Sequence, residues 1–86
     1  MQIDYSSNFK KRFRKIPEKI RARLVERLQY FVKDQFDPRL NNHMLHGKYA
    51  GCHSINVTGD IRAIYEIQDG AVAYFIDIGS HAELYK

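Results

Sequence analysis

The sequence predicts an α+β domain in which an N-terminal strand and a two-helix hairpin pack on an antiparallel β-meander. Three observations predict this class. The first 34 residues carry apolar side chains at helical spacing, residues 52–78 contain three runs rich in β-branched and aromatic residues, and Asp69-Gly70 between the last two runs is a strong hairpin signal. With 86 residues the chain has room for one domain, which we assign to residues 1–86.

The helical half follows a short alternating segment, QIDY, which we predict as a strand at residues 2–5. Ser6 or Ser7 can cap the first helix, because a serine hydroxyl accepts a hydrogen bond from a free N–H of the first turn. Pro17 ends this helix and is a favourable first residue for the second, which we expect to run to about Asp34. Both helices carry apolar stripes that we assign to the core: Phe9, Phe13 and Ile16, then Ile20, Leu24, Leu28, Phe31 and Val32.

Residues 34–51 have no regular hydrophobic period and end with two glycines, so we predict a loop or a broken element there. Three strands are predicted after it, at residues 52–57, 61–68 and 71–78. A three-residue loop at residues 58–60 keeps the apolar side chains of the first two strands on one face and pairs Asn56 with Arg62.

The turn at Asp69-Gly70 fixes the register of the last hairpin, because a two-residue loop pairs Gln68 with Ala71. Arg62 then lies opposite Asp77. In this register the core face consists of Ile61, Ala63, Tyr65, Ile67, Val72, Tyr74, Ile76 and Ile78, and the other face collects Ser54, Asn56, Arg62 and Asp77.

Positive charge is concentrated near the N-terminus. Residues 1–27 hold nine Lys or Arg against three Asp or Glu, whereas residues 51–86 hold two against five. This asymmetry indicates a polyanion or an acidic protein as a partner, and a solvated helix face is the alternative interpretation.

The composition also predicts the environment of the protein. The first residues lack an apolar run with a cleavage site, and no stretch approaches the roughly 20 apolar residues that span a bilayer, so we expect a soluble cytoplasmic protein without membrane contact. The single cysteine, Cys52, is expected to be a small buried side chain. His43 and His46 are three residues apart without a supporting cysteine, so we expect neither a metal nor a cofactor.

Three segments carry a resemblance to a known family: HMLHGKYAG at residues 43–51, GDIRAIYEI at residues 59–67 and IGSHAELY at residues 78–85. In this order they resemble the YafQ-like branch of the RelE/ParE superfamily of bacterial toxins. The resemblance implies a RelE-like fold and the toxin of a type II toxin–antitoxin system. It further implies a ribosome-dependent endoribonuclease that cuts messenger RNA in the ribosomal A site, contacts ribosomal RNA and is held inactive by a cognate antitoxin.

The resemblance also assigns site residues. It places His43, Asp60, His81 and Tyr85 at the positions of two catalytic histidines, an acidic residue and a C-terminal aromatic, and Arg62 matches a strand arginine of RelE-like relatives. The chain departs from the family pattern at three positions: Asn56 replaces a common histidine, Ile61 a common tryptophan, and Asp77 an expected arginine.

Metal-free RNA cleavage needs a base for the 2′-hydroxyl, a cation for the phosphorane and an acid for the leaving 5′-oxygen. We assign His81 as general acid and either His43 or Asp60 as general base, because histidine titrates near neutral pH. Lys48 and Arg62 are the expected phosphate cations, and Tyr85 either stacks on a nucleotide base or packs in the core. The remaining RNA-binding candidates lie in the first helix: Lys10, Lys11, Arg12 and Arg14.

Two alternatives belong to other functional classes. Relatives in the ParE branch inhibit DNA gyrase by protein contact and need no catalytic pair, and a degenerate toxin would only bind its antitoxin. The combination of His43, Asp60 and His81 favours the nuclease, whereas the departures at Asn56 and Asp77 keep the alternatives open.

Overall fold

The computed structural model describes residues 1–85 and has the predicted α+β architecture. The helices are α1 (Ser7–Lys15), α2 (Glu18–Lys33) and α3 (His81–Leu84), and the strands are β1 (Gln2–Tyr5), β2 (His43–Met44), β3 (His53–Asn56), β4 (Ile61–Gln68) and β5 (Val72–Ser80). The strands form one sheet in the order β1-β5-β4-β3-β2, in which β1 runs parallel to β5 and the other neighbours are antiparallel. Among residues 1–85, no helix has both the length and the apolar character needed to cross a membrane.

The start of α1 follows the capping prediction. Ser6 is the N-cap, and its hydroxyl accepts a hydrogen bond from the N–H of Phe9 at 3.0 Å. Ile16 is extended, as expected for a residue that precedes proline. Pro17 occupies the cap position of α2, one residue before its predicted place inside the helix.

The main core lies between the helices α1 and α2 and one face of the sheet. Its centre is an aromatic triad of Phe31, Tyr65 and Phe75, whose ring centroids lie 5.0 to 5.5 Å apart. The predicted stripes of both helices pack there, with one exception. Val32 is 49% exposed, so its assignment to the core was wrong. It follows the buried Phe31 directly and therefore lies about 100° further around the helix.

The segment between α2 and β3 is a broken element, as predicted. It contains two 3₁₀ turns, Pro38–Leu40 and Gly47–Tyr49, on either side of the two-residue strand β2. The hairpin between β3 and β4 also has its predicted register, with Asn56 opposite Arg62.

The last hairpin differs from the prediction by one residue. Asp69 and Gly70 adopt the expected positive φ values of 52° and 70°, and the N–H of Ala71 donates to the Gln68 carbonyl. However, Gln68 pairs with Val72, so Ala71 is an additional loop residue. Because a shift of one residue exchanges the two faces of a strand, Ala73 and Phe75 enter the main core in place of the predicted set, Val72, Tyr74 and Ile76.

A β-bulge at Ile76 then exchanges the faces of β5 a second time. Tyr65 pairs with Phe75 but Ile64 pairs with Asp77, so Ile76 is an extra residue in β5. Two side chains at the start of α1 donate hydrogen bonds to the carbonyl of Ile76: the hydroxyl of Ser6 at 3.0 Å and the amide of Asn8 at 3.1 Å. Beyond the bulge, Ile78 returns to the main core and Asp77 points to the opposite face.

We predict that Ser6→Ala lowers the free energy of unfolding by about 1–2 kcal/mol, because the substitution removes both a helix cap and a hydrogen bond to the bulge carbonyl. Chemical denaturation followed by circular dichroism measures this change. Ser7→Ala is the matched control, since Ser7 is an exposed residue inside α1. Equal effects of the two substitutions would contradict the capping role.

Candidate functional site

The face of the sheet opposite α1 and α2 carries the candidate site. A second apolar cluster of Leu45, Cys52, Ile64 and Leu84 lies at its centre. This cluster fixes α3 and the segment before β3 to the sheet, because Leu84 belongs to α3 and Leu45 and Cys52 flank the Gly47–Tyr49 turn. The sequence predicted a row of polar side chains on this face and gave no indication of an apolar cluster at its centre.

Cys52 is buried in this cluster with 7% of its surface exposed. Burial raises the pKa of its thiol, and the negative charge of Glu66 adds to the effect. The thiol therefore stays protonated at neutral pH, and Cys52 is a packing residue as expected.

The C-terminal histidine is held at the first position of α3. Ser80 caps this short helix with a capping box, in which its hydroxyl accepts from the Glu83 N–H and the Glu83 carboxylate accepts from the Ser80 N–H. His81 is exposed, and its ring lies 4.7 Å from the ring of Tyr85. Tyr85 in turn meets Tyr49 edge-on at 5.6 Å. The rings of His81 and Tyr85 thus form one cluster with Tyr49, which belongs to the Gly47–Tyr49 turn.

Arg62 lies on β4 next to this tail. It is opposite Gly79, and its guanidinium donates to the carbonyls of Thr58 and Gly59 at 3.3 and 3.4 Å. Within residues 1–85, no carboxylate lies within ion-pair distance of Arg62, since the two ion pairs of this part of the chain involve other residues. Among the described residues, no carboxylate therefore compensates its positive charge by direct contact.

Asp60 and His81 are neighbours at the same end of the sheet. Ile61 and Ser80 form the last pair between β4 and β5, and Asp60 and His81 are the residues that directly adjoin this pair. Both are exposed. The structure therefore brings Asp60, Arg62 and His81 to one corner of the sheet face.

His43 lies apart from that corner. It is in β2, and three strand spacings, roughly 14 Å, separate β2 from β5. Its Nδ1 atom is 2.9 Å from the Asn41 carbonyl, and its Nε2 atom is 3.5 Å from the buried Ser54 hydroxyl. Asn41 adopts a left-handed conformation with φ of 48°, which ends the preceding 3₁₀ turn.

Asp77 has a different partner from the predicted one. It lies opposite Ile64 rather than Arg62, because the additional loop residue Ala71 and the bulge both shift the register. Its Oδ1 atom forms an ion pair with Nε of Arg12 at 3.3 Å, and its Oδ2 atom accepts a hydrogen bond from the Tyr49 hydroxyl at 3.4 Å. Burial, followed by the charge of Asp77, raises the pKa of Tyr49, so the phenol remains the donor.

The remaining predicted residues divide into exposed and partly enclosed positions. Lys10, Lys11 and Arg14 are exposed on α1, whereas Arg12 is partly buried and turns toward Asp77. Other predicted residues lie on the site face or beside it: Lys48 is 5.3 Å from the ring of Tyr49, and Asn56 has a buried, unpaired Oδ1 atom. No group of three His, Cys, Asp or Glu side chains within residues 1–85 is arranged to bind a metal ion.

The sequence model of one protein family, described as "Bacterial toxin of type II toxin-antitoxin system, YafQ", matches residues 1–86. The chain belongs to the YafQ toxin family. The resemblance seen in its motifs is thereby confirmed, and the chain is a YafQ-type toxin of a type II toxin–antitoxin system. No curated protein matches the chain by sequence.

Solved structures with the same fold include other toxins. YafQ from E. coli strain BL21(DE3) superposes with a TM-score of 0.82 at 20% identity, over 99% of this chain and 98% of that one. The YoeB/ParE toxin from Agrobacterium tumefaciens gives 0.77 at 15% identity, over 94% and 99%. A chain of the E. coli DinJ-YafQ complex gives 0.71 at 22% identity, over 99% and 98%. At these identities the comparison shows the RelE-like fold.

Sequence reasoning missed Tyr49 and the ion-pair partner of Arg12. Tyr49 was overlooked because a lone tyrosine in a loop has no periodicity. Arg12 was grouped with the exposed basic residues of α1, and no local pattern indicates its ion pair with Asp77, 65 positions later. Tyr49 and Asp77 meet there, but the sequence shows that they can meet only when the position of the bulge in β5 is already known.

We predict that neutral His43 carries its proton on Nδ1. A carbonyl only accepts hydrogen bonds, so Nδ1 donates to Asn41 and Nε2 is left to accept from Ser54. Long-range ¹H–¹⁵N correlation spectra distinguish the two tautomers, and the exposed His46 serves as the reference. A proton on Nε2 of His43 would show instead that the Ser54 hydroxyl is the acceptor.

Proposed function

We propose that this YafQ-family toxin is a ribosome-dependent endoribonuclease that blocks translation in the cytoplasm by cutting messenger RNA in the ribosomal A site. The observation that carries the proposal is the corner formed by Asp60, Arg62 and His81 beside the last pair of β4 and β5. It combines an acidic group, a cation with no carboxylate partner among residues 1–85, and an exposed imidazole. These are the three chemical functions that metal-free RNA cleavage requires.

The reaction would proceed by transfer of two protons. A base removes the proton of the 2′-hydroxyl, whose oxygen attacks the adjacent phosphorus. The guanidinium of Arg62 stabilises the additional negative charge of the phosphorane. His81, in its protonated form, gives a proton to the 5′-oxygen as the bond from phosphorus to that oxygen breaks. The products are a 2′,3′-cyclic phosphate and a free 5′-hydroxyl.

We assign the general base to Asp60 in preference to His43. Both proton-transfer groups must reach the same phosphodiester, and hydrogen-bond contact requires about 2.6–3.2 Å between heavy atoms. Asp60 adjoins the pair beside His81, whereas His43 lies on β2, which is separated from β5 by β4 and β3. In this arrangement His43 contacts the RNA chain beyond the cleaved bond.

The surrounding residues extend the RNA-binding surface. Tyr85 is 37% exposed and anchored by Tyr49, so one side of its ring is available for stacking on a nucleotide base. Lys48 provides a second cation beside these rings. The exposed basic residues of α1, Lys10, Lys11 and Arg14, would bind phosphates of ribosomal RNA, so binding should weaken as the salt concentration rises.

We infer that a cognate antitoxin binds the helical side of the molecule. The groove between α1, α2 and β1 encloses about 380 Å³ above an apolar floor that includes Phe13 and Leu24, and Lys10 and Arg14 line its wall. Val25 is 50% exposed beside it. An apolar groove with a basic rim suits an amphipathic, acidic helix. A structurally similar toxin, YafQ of E. coli, forms a complex with the protein DinJ.

His81→Ala is expected to abolish cleavage of messenger RNA by translating ribosomes, because the leaving 5′-oxygen loses its acid. Primer extension on a reporter message with purified protein measures the cuts, and His46→Ala is the control at another exposed histidine. Cuts that persist in His81→Ala would contradict the assigned acid. Growth arrest by the wild type without any cuts would exclude the nuclease and make gyrase the next target to test.

Val25→Asp is expected to weaken binding of the purified antitoxin by about tenfold or more, since it places a charge in the apolar groove. Calorimetric titration measures the affinity. Phe36→Asp is the matched control, because Phe36 is an exposed hydrophobic residue that does not line the groove. Equal affinities for both variants would place the antitoxin on another surface.

A further inference from the structure

Asp77 presents an electrostatic problem for an RNA-cleaving site. Its carboxylate lies on the same face as Arg62, because Asp77 pairs with Ile64 and Arg62 pairs with Gly79, two residues further along each strand. Asp77 and Arg62 are therefore diagonal neighbours, about 7–8 Å apart at the backbone, which long side chains can bridge. Without another partner, this carboxylate would attract the guanidinium that the phosphate needs and repel the phosphate itself.

Arg12 provides that other partner from outside the sheet. Its Nε atom lies 3.3 Å from Oδ1 of Asp77, and only 12% of the Asp77 side chain is exposed. The end of the Arg12 side chain lies beside Gly79 and Glu83, since a Cβ atom on Gly79 would come within 3.2 Å of both Nη1 of Arg12 and Oε1 of Glu83. Nη1 is itself buried and forms no hydrogen bond with another residue in the described range. Arg12 is thus packed under the start of α3 and differs from its exposed neighbours on α1.

The second oxygen of the carboxylate is also occupied. Oδ2 of Asp77 accepts from the Tyr49 hydroxyl, and the Ile78 N–H donates to Oδ1 at 2.8 Å. Arg62 consequently directs its guanidinium to backbone carbonyls at the other end of the hairpin loop. Arg12 therefore neutralises the negative charge of Asp77, and the positive charge of Arg62 is available to bind a phosphate.

We propose that Arg12 is a positioning residue of the catalytic site, which neutralises Asp77 and thereby keeps Arg62 free to bind the RNA phosphate. The inference rests on the proposed nuclease function. It gives a physical account of how an aspartate is tolerated at a position where the family pattern has an arginine: α1 supplies a cation that neutralises it. Arg12 acts through Asp77 and not by contact with RNA.

A double-mutant cycle of Arg12→Gln and Asp77→Asn tests this role. Cleavage by translating ribosomes is measured for the wild type, both single variants and the double variant, and circular dichroism verifies folding. We expect Arg12→Gln to reduce the cleavage rate about tenfold when Asp77 is charged, and to change it by no more than about twofold in the Asp77→Asn background. Affinity for a short single-stranded RNA without ribosomes should follow the same pattern.

Arg39→Gln is the control for loss of any arginine charge. It breaks the ion pair of Arg39 with Asp37, away from the site, and should leave cleavage unchanged. If Arg12→Gln is equally harmful in both backgrounds, Arg12 contacts RNA directly and the inference is wrong. If Arg12→Gln has no effect, the compensation is unnecessary and the inference is also wrong. A wild type that makes no cuts would refute the proposed function, and RNA affinity across the four proteins would then still test the inference.

Discussion

The bulge at Ile76 is the constraint on which the arrangement of both faces depends. Before it, Phe75 contributes to the main aromatic core, and after it Ile78 returns to that core while Asp77 points to the opposite face. In a strand with regular alternation, Phe75 and Ile78 would point to opposite faces of the sheet. Only the extra residue lets both side chains enter the main core while Asp77 points to the other face. The carbonyl exposed by the extra residue is satisfied by Ser6 and Asn8 at the start of α1. The same contacts orient α1, and so they also determine where Arg12 meets Asp77.

The second apolar cluster explains how a short C-terminal segment can hold a site residue in place. Leu84 is fully buried against the sheet, and the capping box of Ser80 satisfies the first turn of α3. A four-residue helix has little stability of its own, so its position is set by this packing and not by helix propensity. His81 is consequently attached to a packed surface, as the proposed proton transfer would require.

The local elements were predictable from the sequence, whereas the contacts that organise the site were not. Helix bounds, the cap at Ser6 and the register of Asn56 with Arg62 follow from short-range patterns that the structure confirms. The turn at Asp69-Gly70 was correct in backbone conformation, but nothing in the residues themselves indicates the extra Ala71. The extra loop residue Ala71 and the bulge at Ile76 therefore produced an incorrect core face, although Asp77 was assigned to the correct side. Contacts between residues distant in the chain, such as Arg12 with Asp77, depend on the assembled fold.

The parallel pairing of β1 with β5 has a consequence for the order of folding. Within residues 1–85, β5 is the only strand beside β1, and their paired residues are separated by 70 positions along the chain. Such distant contacts form late, because the entropy of closing the intervening chain must be overcome first. During synthesis β1 is made 70 residues before the strand with which it pairs, so the parallel edge of the sheet can form only after β5 has also been made.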